Sequence, residues 1–180
     1  MTDLDIGILY WLQDHVVCSF LTPLMKTATT LGNGGILWIL MCLILMIPKS
    51  TRKIGITAAL SLAVVSILNN MILKIIVARP RPFTFADIEL LISAPKSYSF
   101  PSGHAASSFA TATAVFLGNK KFGVIALILA TLVAFSRLYF FVHYPTDVLF
   151  GAIEGILTAV AVCKIVDYAI KKQDSTSGKL

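Results

Sequence analysis

Long apolar runs constrain this chain more than any other feature, because few charged side chains interrupt them. Four runs stand out, at residues 34–47, 54–78, 122–142 and 146–170. A helix needs about 20 apolar residues to cross the hydrocarbon core of a bilayer, with a range of about 17 to 25. The last three runs have that length, whereas the first is short and ends at Pro48. The pattern predicts an integral membrane protein.

The composition agrees with this prediction. Hydrophobic residues make up 57% of the chain and charged residues only 13%, against roughly 45–50% and about 25% in soluble domains. So few charges cannot cover the surface of a soluble enzyme, and the composition also excludes a disordered chain and a coiled coil. The net charge of +6 does not indicate a nucleic-acid partner, because the basic residues form short clusters between the apolar runs.

Two further segments complete the predicted fold. Residues 102–118 are rich in Ala, Ser and Thr, which is typical of a helix packed tightly among its neighbours. Near the N-terminus, polar residues interrupt the apolar pattern, which favours an amphipathic helix over about residues 4–17 and a short helix ending at Leu31. We therefore predict an all-α membrane bundle of about six helices, whose first helix is broken or partly interfacial.

The distribution of basic residues predicts the orientation of the bundle. Nine basic residues belong to one set of connections and termini, which includes Lys49 and the C-terminal lysines, and six belong to the opposite set. By the positive-inside rule the first set is cytoplasmic, so residues 79–101 and 142–146 are expected on the extracytoplasmic side. We expect one membrane-embedded domain, divided into a first helical region at 1–33, a core at 34–170 and a polar cytoplasmic tail at 171–180.

Three clusters of ionisable residues indicate a functional site, because such groups are costly at membrane depth and rarely lie there without a role. The clusters run from Lys74 to Pro82, from Pro101 to His104 and from Ser136 to Asp147. Their cations outnumber the nearby acids. A phosphate group is the natural ligand for converging cations, because the arginine fork matches its oxygens.

The second and third clusters predict how a phosphate could react. Ser102 is a good N-cap for a helix, and Gly103 lets an anion approach the free N–H groups of the first turn. His143 and Asp147 are four residues apart, so one helical turn brings the carboxylate to the imidazole and orients it as a nucleophile. His104 is then available to protonate a leaving oxygen. These residues predict a phosphatase that uses no metal and no other cofactor.

Other polar and small residues are interpreted as structural. Arg79 has no partner at a defined spacing, so its side chain is expected to extend to the lipid headgroups. Glu154 is expected to pair with a polar group on a neighbouring helix. Gly151 and Gly155 form a Gly-x-x-x-Gly pair, which predicts close contact between two helices.

The three clusters resemble the signature of the type 2 phosphatidic acid phosphatase superfamily. That signature is Lys, six residues, Arg-Pro; then Pro-Ser-Gly-His; then Ser-Arg, five residues, His, three residues, Asp. No position departs from it here, and the resemblance covers about residues 69–155. It implies a core of six membrane helices, no metal requirement and a site near the outer membrane surface.

The resemblance also implies a role for each matching residue. His143 would form a phosphohistidine, Asp147 would orient it and His104 would act as the acid for the leaving group. Water would then attack the phosphohistidine and release inorganic phosphate. The phosphate oxygens would be bound by Lys74, Arg81, Ser102, Gly103 and Arg137.

The motifs say little about the lipid that carries the phosphate. The small size of the chain resembles bacterial undecaprenyl diphosphate phosphatases and phosphatidylglycerophosphate phosphatases. We favour undecaprenyl diphosphate, with phosphatidylglycerophosphate or phosphatidate as alternatives. A non-catalytic lipid-phosphate binding or transport protein is a remote alternative, and a vanadium haloperoxidase is disfavoured because those enzymes are soluble and larger. The expected partners are the lipid substrate and membrane lipids, and the sequence leaves the oligomeric state open.

Overall fold

The computed structural model describes residues 3–177, so the last three residues of the predicted polar tail lie outside the described part. Within that part the chain forms α-helices and short helical turns, as the all-α prediction requires. Two pairs of consecutive helices join end to end, which gives six helical segments. The helices are α1 (Asp3–His15), α2 (Thr22–Gly32), α3 (Ile36–Met46), α4 (Arg52–Ile67), α5 (Lys74–Val77), α6 (Gly103–Gly118), α7 (Lys120–Tyr139) and α8 (Pro145–Ser177).

Helices α2 and α3 form one segment that is broken by a short 3₁₀ turn. Gly34 and Gly35 in this turn have φ angles of +61° and +71°, a conformation that glycine adopts at little cost. Together, Thr22–Met46 is 25 residues long and apolar enough to cross a membrane. The apolar run predicted at 34–47 is short because it is only the second half of this segment.

Helices α4 and α5 are joined by a π-helical segment, Leu68–Leu73. Asn69 in this segment is buried, and its amide nitrogen donates a hydrogen bond of 2.9 Å to Oε2 of Glu154 on α8. The polar partner predicted for Glu154 on a neighbouring helix is therefore confirmed. π-helical turns are frequent at functional sites, and this one ends immediately before Lys74.

Helix α6 lies in the centre of the bundle and packs against α4, α7 and α8. Its small side chains allow close approach, as predicted. Gly151 and Gly155 of α8 lie directly against it, since an added Cβ would come within 2.6 Å of the Ser102 carbonyl oxygen and 2.4 Å of the Ala106 carbonyl oxygen. The predicted close contact at the Gly-x-x-x-Gly pair is confirmed.

Large apolar side chains cover the outside of the bundle. Ile75 and Ile76, for example, are 65% and 73% exposed, which would be unfavourable in water and suits the hydrocarbon of a bilayer. The chain is therefore an integral membrane protein. Within residues 3–177, four segments are long and apolar enough to cross a membrane, namely Thr22–Met46, Arg52–Thr84, Lys120–Tyr139 and Pro145–Ser175.

The three sequence clusters meet at one end of the bundle. Helices α5 and α7 end there, and helices α6 and α8 begin there. The long loop between α5 and α6 covers this end, and a backbone hydrogen bond of 3.0 Å from the N–H of Ser102 to the carbonyl of Asp147 joins the starts of α6 and α8. The fold thus gathers residues from distant parts of the chain at one place.

Candidate active site

The predicted site residues surround one cavity of about 1340 Å³. Two of them, Ser102 and Asp147, are fully buried next to lining residues. The structure therefore brings all eight predicted residues together. The six that line the cavity are Lys74, Arg81, Gly103, His104, Arg137 and His143.

His143 lies in the short connection between α7 and α8, within reach of Asp147 in the first turn of α8. Its Nδ1 is 3.4 Å from Oδ2 of Asp147, and its Nε2 is 3.2 Å from Nη1 of Arg81. The same carboxylate oxygen accepts a hydrogen bond of 2.9 Å from the backbone N–H of Tyr144. The pair is thus held with Nδ1 toward the carboxylate and Nε2 toward the guanidinium.

The surroundings of His143 keep its imidazole neutral. Burial lowers the pKa of His143 to about 3, the hydrogen bond to Asp147 opposes this change, and the positive charges of Arg81 and Arg137 add to it. A neutral ring that donates from Nδ1 carries its lone pair on Nε2, which here faces Nη1 of Arg81. That is the form in which a histidine can act as a nucleophile.

Three cations approach the cavity from different elements. Lys74 on α5, Arg81 in the following loop and Arg137 on α7 are all more than nine-tenths buried. Within residues 3–177 none of the three forms an ion pair, and Nε of Arg137 has no hydrogen-bond partner there. Because buried charges without an ion-pair partner are costly, this arrangement is suited to bind an anion.

The start of α6 adds backbone N–H groups to the same site. Ser102 is the N-cap, as predicted, and its Oγ accepts a long hydrogen bond of 3.5 Å from the backbone N–H of Ala105. Gly103 lies close to the ammonium of Lys74, since an added Cβ would come within 3.6 Å of Nζ. The positive end of the helix dipole and the ammonium therefore lie together, which favours a phosphate.

Helix α2 and the turn after it support two site residues, although no sequence motif marks this segment. Oδ1 of Asn33 is 3.0 Å from Nε2 of His104, and the hydroxyl of Thr29 accepts a hydrogen bond from the Arg137 guanidinium. Gly32 packs against the imidazole so closely that an added Cβ would come within 2.7 Å of Cδ2 of His104. Sequence reasoning missed these contacts because their partners lie 71 and 108 positions further along the chain.

The prediction that Arg79 extends to the lipid headgroups is wrong. Its Nη1 is 2.7 Å from Oδ1 of Asp147, and its Nη2 is 2.8 Å from Oδ2 of Asp5. Its guanidinium also lies 3.8 Å from the centre of the Tyr144 ring. Two buried carboxylates hold this cation inside the protein, and no sequence pattern indicates that Asp5 on α1 is one of them.

The part of the chain that the structure describes has no group of three or more His, Cys, Asp or Glu residues that could hold a metal ion. Cations and imidazoles line this cavity together with hydroxyl and amide side chains, and none of the described Asp or Glu residues lines it. Such a donor set attracts an anion and repels a cation.

This fold and this cavity define an integral membrane protein with a cavity lined by cations at one end of a helical bundle. The chain belongs to the PAP2 superfamily, whose profile matches residues 54–171. It is 38% identical over 120 residues to an undecaprenyl-diphosphatase of Sulfolobus acidocaldarius, and that alignment covers 66% of this chain and 58% of the relative. The chain thus spans less than two thirds of this relative's length.

Two solved structures have a similar fold over most of this chain. The crystal structure of Aquifex aeolicus LpxE has a TM-score of 0.73 and 27% sequence identity, and the match covers 91% of this chain and 96% of that chain. The transmembrane PAP2-type phosphatidylglycerolphosphate phosphatase of Bacillus subtilis has a TM-score of 0.73 and 26% identity, with coverage of 92% and 85%.

Proposed function

We propose that this chain is a metal-independent membrane lipid phosphatase that acts through a phosphohistidine intermediate. The observation that carries the proposal is a neutral, carboxylate-oriented imidazole beside three buried cations that have no acid partner in the described residues. Such a site can hold a phosphoryl group and attack it. We assign His143 as the nucleophile, Asp147 as its orienting carboxylate and His104 as the acid. The assigned phosphate-binding residues are Lys74, Arg81, Ser102, Gly103 and Arg137.

In the first step, Nε2 of His143 attacks phosphorus, and the bond between phosphorus and the leaving oxygen breaks. The surrounding cations neutralise the oxygens of the phosphoryl group during this transfer. The negative charge of the bound phosphate favours the protonated form of His104, which gives its proton to the leaving oxygen. Asp147 stabilises the positive charge that develops on the imidazole, as the carboxylate does in a Ser-His-Asp triad.

In the second step, water attacks phosphorus, and the P–N bond to His143 breaks. His104, which is now neutral, accepts a proton from that water and returns to its starting state. Inorganic phosphate leaves the site, and His143 regains its lone pair. One water molecule is consumed for each phosphoryl group released.

We propose undecaprenyl diphosphate as the substrate, with undecaprenyl phosphate and inorganic phosphate as products. The Sulfolobus relative carries the name of this activity. The cavity also extends from the phosphate end along α3 and α4, where Ile39, Leu43 and Leu62 line it, and an apolar extension suits a lipid tail. Phosphatidylglycerophosphate or phosphatidate is the alternative, supported by the name of the similar Bacillus structure.

A panel assay tests the activity and the substrate together. Purified protein in detergent is supplied with undecaprenyl diphosphate, phosphatidylglycerophosphate or phosphatidate, and the released inorganic phosphate is measured. We expect the highest kcat/KM for undecaprenyl diphosphate and a loss of at least about 1000-fold in His143→Ala. The matched control is Asp167→Asn, which removes one partner of an exposed 2.7 Å ion pair with Lys53 at the opposite end of the bundle.

Two results would contradict the proposal. Undiminished phosphate release by His143→Ala would exclude the nucleophile assignment. Tight binding of a lipid phosphate without any release by the wild type would favour the non-catalytic binding or transport protein. That alternative uses the cations, but it gives the His143–Asp147 pair no role.

We further propose that the site faces the extracytoplasmic side and that the C-terminus is cytoplasmic, because the positive-inside rule places the more basic connections in the cytoplasm. Cys18 is exposed, and its backbone N–H donates to the hydroxyl of Tyr139 near the site end of the bundle. In a variant whose other two cysteines are serine, an impermeant maleimide should label Cys18 in intact cells. Labelling only after the cells are broken would reverse the orientation.

A further inference from the structure

Helix α1 reaches the candidate active site through a row of three charged side chains. Asp5 on α1 is only 4% exposed, and Arg79 bridges it to Asp147 with distances of 2.8 and 2.7 Å. The charges alternate along the row, so one guanidinium serves two carboxylates. The residues matched to the family profile begin at position 54, and α1 therefore lies outside the matched region.

Thr146 fixes Asp5 in this row. Its backbone N–H donates to Oδ1 of Asp5 at 3.1 Å, and its hydroxyl donates to Oδ2 at 2.6 Å. The same hydroxyl accepts a hydrogen bond of 2.8 Å from Nη1 of Arg79. Burial alone would raise the pKa of Asp5, but the hydrogen bonds from Thr146 and Arg79 outweigh it and lower the pKa below its usual value. Asp5 is therefore a fixed negative charge at neutral pH.

Arg79 contacts the oxygen of Asp147 that faces away from the imidazole. It occupies Oδ1, while Oδ2 accepts from the backbone N–H of Tyr144 and from the hydroxyl of Ser99 and lies toward His143. The terminal torsion of an aspartate is otherwise broad. The guanidinium on Oδ1, together with the two donors on Oδ2, removes this freedom and keeps Oδ2 directed at the ring.

Asp5 balances the charge that this arrangement introduces. An arginine paired with Asp147 alone would offset the negative charge that stabilises an imidazolium at His143. Because Asp5 lies on the other side of the guanidinium, Arg79 can orient Asp147 while its positive charge is divided between the two carboxylates. The row therefore orients Asp147 while the carboxylate keeps the negative charge that stabilises an imidazolium at His143.

We propose that Arg79 and Asp5 are positioning residues that act through Asp147, so that α1 is part of the catalytic unit. Arg79 directs the carboxylate toward His143, and Asp5 offsets the charge of Arg79. This inference rests on the proposed function, because it requires His143 to be the nucleophile.

The first test compares Asp5→Asn with Asp3→Asn. Asp3 lies in the same turn of α1 but is exposed, so it is a matched control. Groups that hydrogen-bond and orient metal ligands typically contribute about 10- to 100-fold to activity, and we take the same range for groups that orient Asp147. We therefore expect kcat for the lipid substrate to fall by about that factor in Asp5→Asn, with little change in KM, and to stay at the wild-type value in Asp3→Asn.

The second test compares the pH profiles of Arg79→Gln and Asp5→Asn. If the two residues had only a structural role, their loss would not shift these profiles in opposite directions. Arg79→Gln removes a positive charge beside Asp147, so the pKa of His143 rises from about 3, and the acid limb of kcat/KM, which lies below pH 5 in the wild type, moves to higher pH. Asp5→Asn leaves the charge of Arg79 unbalanced, so the shift has the opposite sign. Arg79→Lys is expected to recover part of kcat. Among the described residues, the other ionisable groups around the pair are Lys74 on α5, Arg81 in the next loop, His104 on α6, Arg137 on α7 and Tyr144 next to His143.

A double variant checks that Asp5 acts through Arg79. In the Arg79→Gln background, Asp5→Asn is expected to cost little further activity, because the residue that transmits its effect is gone. A merely structural contact of α1 would add its full cost in both backgrounds. If Arg79→Gln does not fold, as judged by thermal unfolding in detergent, Asp5→Asn and Arg79→Lys still decide the question.

The outcomes separate this inference from the proposed function. If the wild type releases phosphate and His143→Ala does not, but Asp5→Asn retains the wild-type kcat and pH profile, only the positioning role is overturned. Acid-limb shifts of the same sign in Asp5→Asn and Arg79→Gln would also overturn it. If the wild type releases no phosphate from any lipid, both proposals fail.

Discussion

Replacing Gly151 with alanine is predicted to slow catalysis by moving α8 away from α6 by less than one ångström. An added Cβ would come within 2.6 Å of the Ser102 carbonyl oxygen, whereas ordinary contact begins at 3.4 Å, so the helices must separate by about 0.8 Å. Ser102 caps α6, and its N–H donates to the carbonyl of Asp147 at 3.0 Å. The separation therefore moves the phosphate end of the cavity relative to His143.

The size of the effect follows from this displacement. Misplacement of reacting groups by 1 Å can lower a rate by about 100-fold. Overpacking of a tight interface typically costs about 1–3 kcal/mol of stability. We therefore expect Gly151→Ala to lower kcat by about 10- to 100-fold and to lower the free energy of unfolding by about 1–3 kcal/mol.

The assay measures phosphate release at saturating lipid and thermal unfolding in detergent. Gly7→Ala is the neutral control, because nothing lies within 4 Å of its Cβ position. Gly123→Ala is the overpacking control, because its Cβ would come within 2.1 Å of Cα of Phe116 at the opposite end of the bundle. It should lower stability while kcat stays near the wild-type value. A wild-type kcat in Gly151→Ala, or equal losses of kcat in both overpacked variants, would refute the reasoning.

Three further predictions concern the chemistry of the site. Asn33→Ala should lower kcat for lipid substrates more than for p-nitrophenyl phosphate, whose leaving group needs little protonation by His104; equal losses would contradict a role in acid catalysis. Because burial lowers the pKa of His143 to about 3, its ring stays neutral down to pH 5, so kcat/KM should not fall between pH 7 and 5 through its protonation. An acid limb near pH 6.5, shared by two substrates whose phosphates have different pKa values, would disprove this. Vanadate should compete with the substrate as a mimic of the transferring phosphoryl group, and Arg137→Gln should weaken this inhibition; equal inhibition of both proteins would count against the site.

Much of the site could be predicted because ionisable residues are scarce in an apolar chain. Lys74, Arg81 and Arg137 stand out against long hydrophobic runs, and their motif spacing places them beside His104 and His143. The start of α6 could be predicted as well, since the Pro-Ser-Gly-His stretch has the residues that begin a helix. Local sequence patterns therefore predicted the motif residues that the structure brings together at the cavity.

The partners from the first two helices could not be predicted, because no local pattern encodes a contact across the bundle. Asp5 and Arg79 are 74 positions apart, and an acid in the first turn of an amphipathic helix is ordinary by itself. The prediction that Arg79 extends to the headgroups is wrong for the same reason, since the partners of Arg79 are determined only by tertiary packing. The continuity of α2 and α3 was also hidden, because a Gly-Gly turn interrupts the apolar pattern in the middle of one membrane segment.

The most direct test of the proposed mechanism is to look for phosphate on His143 itself. Purified protein is mixed with a lipid diphosphate labelled in its terminal phosphate and quenched within milliseconds at alkaline pH, where a phosphohistidine survives, and its peptides are mapped by mass spectrometry. The mechanism predicts a phosphorylated residue 143 that forms and decays at rates compatible with turnover and is absent in His143→Ala. Continued phosphate release with no label at residue 143, or label on a different side chain, would contradict it.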